Sequence, residues 1–412
     1  MKILFLYSYF KPEKTSGAHF AEDFRRALAD AGHTMYVYAP TPTRGVSDEV
    51  RREYSKNRKI ETELDGKLHI RRFSLFQEGK GTVGRALRYA VLELQLLWFG
   101  LRAPKVDLLW SGSTPPINGL MATLLKKIRR IPYVYVVQDL FPDSLVSSGI
   151  ARRGSLLWKI GNQVSNITYR NAEHVLTISD SMKDALIARG VPSDKITVAY
   201  NWIDSESTHP VPREENPLFD ELSLPRDGFY VTYAGNLGNS QNVGLLVECA
   251  KQFTEYPDVR FVIFGNGSEK DALERQIKES GLSNVYLFPM QPLERVPQVY
   301  SLGDMSVVLC KAGAGGGAFP SKAASIMACG TAIVTSFDED SDLCRIVREH
   351  DVGLCAAPED ADALAQALRT GYTDRERCRR FGENGRELAK TFFSKEHGTR
   401  ARLSVLERCA EN

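Results

Sequence analysis

The sequence predicts an α/β protein of two parallel-sheet domains, and three observations carry that reading. Short β-branched or apolar runs alternate with segments of helical period along nearly the whole chain, the pattern of sheets built from βαβ units. The alternation breaks once, in a stretch containing Pro210, Pro212 and Pro217 among scattered acids, which reads as a linker. The chain has 412 residues, 43% of them hydrophobic. That is longer than one core usually fills and apolar enough for two.

The elements follow in order. Residues 3–7, 35–38, 68–72, 107–110, 133–137, 174–178 and 196–200 read as strands, with helices at 17–31, 82–101, 117–128, 156–170 and 181–188. The opening apolar run stops at aromatic and charged positions, not at a small-residue cleavage site, so it reads as a first strand and not a signal peptide. The most apolar stretch, 90–101, is interrupted by Glu93 and is too short to span a bilayer. After the linker, strands are expected at 230–234, 260–264, 285–288, 305–309 and 332–335, and helices at 241–255, 269–279, 293–302 and 321–328. From residue 360 the chain reads as helix. The expected division is 1–204, a linker at 205–227, a second domain at 228–382, and a helical segment at 383–412 that packs back on the first domain or lies on its own.

Composition narrows the function. With 53 basic and 51 acidic residues the net charge is +2, which argues against nucleic-acid binding by a globally basic surface. The seven cysteines all lie in the second half, are odd in number and contain no C-x-x-C pair. Reduced thiols are expected, with neither a zinc site nor a disulfide framework.

In open parallel sheets, ligands bind beyond the carboxyl ends of strands. The turn from Leu309 to Val334 carries Gly313, Gly315, Gly316 and Gly317, then Pro320, Ser321 and Lys322 at a helix start. Glycines admit close backbone approach, and free N–H groups, the helix dipole, a hydroxyl and an ammonium together suit an anion. The alternative is a loop before an ordinary helix, and the spacing is not that of a G-x-x-x-x-G-K-[ST] phosphate loop. Gly235, Asn236 and Gly238 form a second close turn, and Gly265 and Gly267 a third, where a helix capped by Ser268 competes with ligand contact. In the first half, Gly17 opens a helix beside Lys11, Lys14, Ser16 and His19, and His19 reads either as a surface residue or as a group facing a diphosphate. The turn 111–119 and Asp139, directly after the apolar strand 133–137, complete the set.

The second strand GHTMYVYAP, the turn VQDLFPDS, TVAYNWID at the domain junction, YAGNLG, FGNGSEKDAL and PSKAASIMACGTAIV occur in that order. Together they resemble glycosyltransferase family 4, of the GT-B fold, in which two Rossmann-like domains face a cleft. Within it the chain is most similar to bacterial transferases of capsule, O-antigen and exopolysaccharide assembly, of the N-acetyl-L-fucosamine transferase type.

The resemblance implies a nucleotide-sugar donor, UDP-linked, with an N-acetylated aminosugar among the candidates, and retention of anomeric configuration without an obligatory metal or cofactor. It places the donor diphosphate at Ser321 and Lys322, with Gly17, Gly235 and Asn236 around it, and the nucleobase and ribose near Gly265, Phe288, Pro289, Met290 and Gln291. Lys322, Asp139 and His19 are the expected catalytic groups, Asp139 standing where many relatives place a histidine. Two departures are evident. The family's Glu-x7-Glu positions fall on Gly317 and Ser325, and its usual Arg and Lys after the first strand of the second domain are replaced by the neutral GNLGNSQ. Two other readings remain: a metal-dependent transferase or phosphatase using Asp338 and Asp340, and a nucleotide-binding protein without turnover.

Basic residues Arg85, Arg88, Arg102 and Lys105 beside the apolar helix, with Lys126, Lys127, Arg129 and Arg130 farther on, suit a membrane surface carrying a polyprenyl-diphosphate-linked acceptor. A core helix with a charged edge is the alternative. The expected place is the cytoplasm or the inner face of the plasma membrane.

Overall fold

The computed structural model describes residues 1–13, 17–43, 45–56, 60–77, 82–147, 151–313 and 319–411. The chain forms two compact units, one of Met1–Ala199 with Thr399–Asn412, the other of Tyr200–Gly398.

The first unit holds β1 (Lys2–Leu6), β2 (Thr34–Pro40), β3 (Glu61–Glu63), β4 (Leu68–Phe73), β5 (Leu108–Gly112), β6 (Tyr133–Val137), β7 (His174–Thr177) and β8 (Ile196–Val198). They form one sheet in the order β3-β4-β2-β1-β5-β6-β7-β8, parallel except for the antiparallel edge strand β3. The second unit holds β9 (Phe229–Asn236), β10 (Val259–Asn266), β11 (Val285–Pro289), β12 (Met305–Leu309), β13 (Ala332–Ser336) and β14 (Gly353–Ala356). Their order is β11-β10-β9-β12-β13-β14, the doubly wound arrangement of a Rossmann-like domain.

Strands β6, β12 and β13 are buried along their whole length. That is why they read as unbroken apolar runs and not as alternating ones: helices cover both faces of a parallel sheet. The sequence missed elements with weaker signals. The helix Asp48–Lys56 buries no residue, so it has no apolar stripe to read. The helix Asp342–Glu349 and the strand β14 are only eight and four residues long and follow the acidic stretch 338–340. The expected helix at 241–255 is an α-helix only over Gly244–Ala250, with single 3₁₀ turns at Asn239–Gln241 and Lys251–Phe253.

Residues 205–227 carry more than prolines. Leu218, Phe219 and Leu224 are buried with Tyr230, Phe264 and Leu302, and the Asn216 amide donates to the Gln298 carbonyl at 2.8 Å. Beyond residue 360 the chain forms three helices, Ala361–Thr373, Arg375–Thr391 and Lys395–Glu411. Asp374 separates the first two by capping the second through Arg377 N at 2.9 Å. The last helix ends in the first unit, where Arg408 Nη2 donates to Thr197 Oγ1 at 2.7 Å.

Candidate functional site

In the second unit the strand order reverses between β9 and β12, which opens a crevice beyond their carboxyl ends. Lys322 comes to it from the first turn of the helix Ser321–Ala328. Its Nζ donates to the Tyr233 hydroxyl at 3.3 Å and lies 4.4 Å from that ring's centroid. Tyr233 is fully buried, and its hydroxyl donates a hydrogen bond to the Asn236 carbonyl at 2.7 Å. Burial pushes the Lys322 ammonium down to about 8, opposed by Cys310. Among the described residues no carboxylate neutralises it, so this is a cation held in reserve.

The helix beside it is equally unsatisfied. Pro320 at its N-cap makes no side-chain cap, and the first turn has no acidic residue. Its positive end, the exposed Ser321 and Lys322 all sit at the same end of the helix. Two carboxylates hold the start of the glycine loop: Gly313 N donates to Asp338 at 2.9 and 3.1 Å, and Ala312 N to Glu359 at 3.2 Å. Gly315, Gly316 and Gly317 lie outside the described residues.

Register adds a row. Gly235 on β9 pairs with Gly265 on β10, which pairs with Pro289 on β11. Strands lie about 4.8 Å apart, so the row from Gly235 to Pro289 spans roughly 10 Å, about the length of a nucleoside. Phe288 stacks parallel to Tyr286, and Met290 is 46% exposed at the strand end. Gln291 donates to the Pro289 carbonyl and accepts from Arg295, which a two-pronged pair with Glu221 fixes.

Glycine is required at two points of this row. Gly235 has φ +152°, and a Cβ there would lie 2.9 Å from Lys322 Nζ; a Cβ on Gly265 would lie 2.7 Å from the Gly235 carbonyl oxygen. Gly265→Ala is therefore expected to cost about 1–3 kcal/mol by overpacking and to push the Gly235 turn off Lys322. Thermal melts check this: the melting temperature should fall by several degrees. Ser268 does not cap the next helix, whose N-cap is Glu269 without a side-chain bond.

The first unit reverses between β1 and β5. After β1, Gly17 is the N-cap of the helix Ala18–Asp30, with ordinary φ and open space where a Cβ would stand. His19 is exposed beside the Phe20 ring. Lys11 is committed to an ion pair with Glu63 at 2.5 Å, while Lys14 and Ser16 lie outside the described residues. After β6, Gln138 N donates to Ser113 Oγ at 3.0 Å and ties the 111–119 turn to the next. The following turn is clamped, since Asp143 takes Arg189 at 2.5 Å and Trp158 Nε1 at 3.2 Å. Asp139 on the same turn is exposed and binds none of the described residues. The two aspartates thus divide into a structural one and an available one.

Two family models account for most of the chain. The model for glycosyl transferases group 1 matches residues 214–388, and that for glycosyltransferase family 4 matches 17–207. The chain belongs to the family 4 glycosyltransferases. WcaI of Escherichia coli (strain K12), a glycosyl transferase named for colanic acid biosynthesis, is 29% identical over 257 residues, 60% of this chain and 61% of that protein. WbjE of Pseudomonas aeruginosa, also named a glycosyltransferase, is 24% identical over 269 residues, 65% and 66% of the two chains. The chain spans under two thirds of the length of these relatives. The crystal structure of Anabaena Alr3699/HepE in complex with UDP has a TM-score of 0.72 at 18% identity, covering 99% of this chain and 100% of that one, a likeness of GT-B fold.

The structure groups several of the residues expected from the sequence: Lys322, Ser321, Gly235 and Asn236 at one crevice, and Gly265 with 288–291 along its row. Tyr233, Asp338 and Glu359 were not singled out as its supports. Tyr233 lies 89 residues from Lys322, and no spacing rule in a sequence links them.

Proposed function

We propose that the chain transfers a sugar from a UDP-linked donor, bound on the second unit, to an acceptor in surface polysaccharide synthesis. The observation that carries this reading is the uncompensated Lys322 ammonium at an uncapped helix start, at one end of the Gly235–Gly265–Pro289 row. The diphosphate belongs at Lys322 and Ser321, the ribose across Gly265, and the base at 288–291. The assignment of WcaI to colanic acid synthesis and the UDP complex of HepE support the product class and the donor.

In this reaction the bond from the anomeric carbon to the diphosphate breaks, and the acceptor oxygen takes its place. Lys322 and the helix amides stabilise charge as it grows on the leaving phosphate, and binding holds donor and acceptor in reactive geometry. The departing phosphate oxygen takes the acceptor's proton, with retention of configuration and no covalent nucleophile. Asp139 and His19 are the first unit's groups for sugar and acceptor contact. The cation is a lysine, so the reading needs no metal; Asp338 is occupied in holding Gly313. The test is UDP release and product mass from a panel of UDP-sugars, aminosugars included, with a polyprenyl-diphosphate-linked saccharide, followed by NMR of the new anomeric centre. Absence of turnover with every donor, together with tight UDP binding, would favour a nucleotide-binding protein.

The lipid-linked acceptor and a membrane surface go together. No helix among the described residues is long and apolar enough to cross a membrane. Three neighbouring helices of the first unit nevertheless carry exposed apolar side chains: Leu87, Leu94 and Trp98, then Leu124 and Ile128, then Leu156 and Ile160. Arg102 stacks 3.1 Å from the Trp98 ring centroid, and Lys105, Lys127, Arg130 and Lys159 are exposed nearby. Apolar stripes with cationic neighbours suit an anionic bilayer surface. Flotation with anionic vesicles at low salt should carry the protein upward, and high salt or Leu94→Asp should release it. No binding at low salt removes the membrane from the reading.

A further inference from the structure

The cysteines divide into two kinds. Cys249, Cys329 and Cys378 are buried, and burial pushes each thiol up to about 12. Cys310 and the half-buried Cys409 are raised as well, by burial first, with Asp338 second for Cys310 and Glu173 second for Cys409. These are inert thiols.

Cys344 and Cys355 are different because they touch. Cys344 is fully buried in the first turn of the helix Asp342–Glu349, its N–H donating to Ser341 Oγ at 3.2 Å. Cys355 lies half-buried on the edge strand β14, its Sγ 3.7 Å from the Cys344 carbonyl oxygen. The two thiols are within hydrogen-bonding reach of each other. Thr335, the register partner of Cys355 on β13, places its hydroxyl 3.3 Å from Cys344 Sγ.

This setting favours one negative charge on the pair. The neighbouring Cys355 pulls the Cys344 thiol down, helped by Thr335, Ser341 and the charge of Arg348, with burial opposing; Cys344 and burial in turn raise Cys355, whose thiol donates to the Cys344 carbonyl oxygen at 3.7 Å. The first proton therefore leaves readily and the second is held, as in other coupled dithiols.

We propose that Cys344 and Cys355 form a thiol–disulfide exchange site, which a small disulfide of the glutathione class oxidises to an intramolecular bond. Cys355 is the accessible sulfur. Starting from the singly charged pair, the Cys344 thiolate takes the Cys355 proton as the Cys355 sulfur attacks one sulfur of the small disulfide, forming a mixed disulfide and releasing one thiolate. Cys344 then loses its proton to solvent and attacks the Cys355 sulfur, forming the internal bond and releasing the second thiolate. Two protein thiols lose two electrons and two protons, and the small disulfide gains both electrons and leaves as two thiols. The internal bond joins β14 to the first turn of the helix Asp342–Glu349.

The test treats the native protein with oxidised or reduced glutathione, blocks remaining thiols with N-ethylmaleimide, and maps unreduced peptides by mass spectrometry. In the oxidised arm the seven thiols should fall by two, with fragmentation placing the link between Cys344 and Cys355. Cys344→Ser should stall with glutathione on Cys355, and in Cys355→Ser the buried Cys344 should stay reduced. Both thiols remaining alkylatable, a wild-type reaction that stops at the mixed disulfide, or a link to another cysteine would overturn the proposal. The wild-type map needs no variant, so a substitution that fails to fold leaves the decision intact.

Discussion

Lys322→Ala should lower turnover on the order of 10²-fold or more, the scale of removing one preorganised electrostatic donor. The ammonium meets only the Tyr233 hydroxyl and ring among the described groups, and its burial is unfavourable for the charged form. Truncation therefore takes little from the folded state, and the melting temperature without ligand should barely move. The stabilisation given by UDP should shrink. A pH signature belongs to the same residue. A diphosphate favours the charged ammonium and raises its pKa on binding, so above about 8 binding must take up a proton. UDP affinity of the wild type should then weaken by roughly tenfold per pH unit until the ammonium's ordinary range, and Lys322→Ala should lack that slope. Near-normal turnover in a folded Lys322→Ala protein would move the diphosphate elsewhere, and the donor site with it.

Glu93→Gln should stabilise the protein at pH 8 by about 2–3 kcal/mol and scarcely change it near pH 4. Glu93 sits in the helix Thr82–Arg102 at 8% exposure, with neither carboxylate oxygen hydrogen-bonded. Burial alone pushes its carboxyl up to about 7. The folded value therefore lies above the unfolded one, and the native state keeps the proton that the unfolded chain gives up. Stability is full below the unfolded value, falls as pH rises, and levels off above about 7. One pKa unit corresponds to about 1.4 kcal/mol, which sets the size of the gain. Melts of both proteins from pH 4 to 9 should diverge through the range between the two values. Parallel profiles would mean that water or a neighbour satisfies the carboxylate in the native state.

The sequence by itself determined the number of units, the parallel-sheet class, most strands and the glycine-rich turn into the helix at Ser321. Those features are written in short-range patterns: apolar runs the length of a strand, helical periods, and glycines with Pro320, Ser321 and Lys322 at a strand-to-helix turn. Glu93 was visible as the acid that interrupts an apolar helix, but its lack of partners was not. Tertiary structure alone decided which groups meet. The strand order put Gly235, Gly265 and Pro289 in one row, and chain crossings brought Tyr233 under Lys322, Asp338 against Gly313, Glu359 against Ala312, and Cys355 against Cys344. The segment at 205–227 looked like a linker because its prolines are conspicuous in sequence, whereas the burial of Leu218 and Phe219 depends on β9 and β10 being folded beside them. Periodicity and propensity act over a few residues and can be read along the chain. Pairing, burial and the resulting shifts in acidity depend on groups tens of residues apart, and exist only once the sheets have formed.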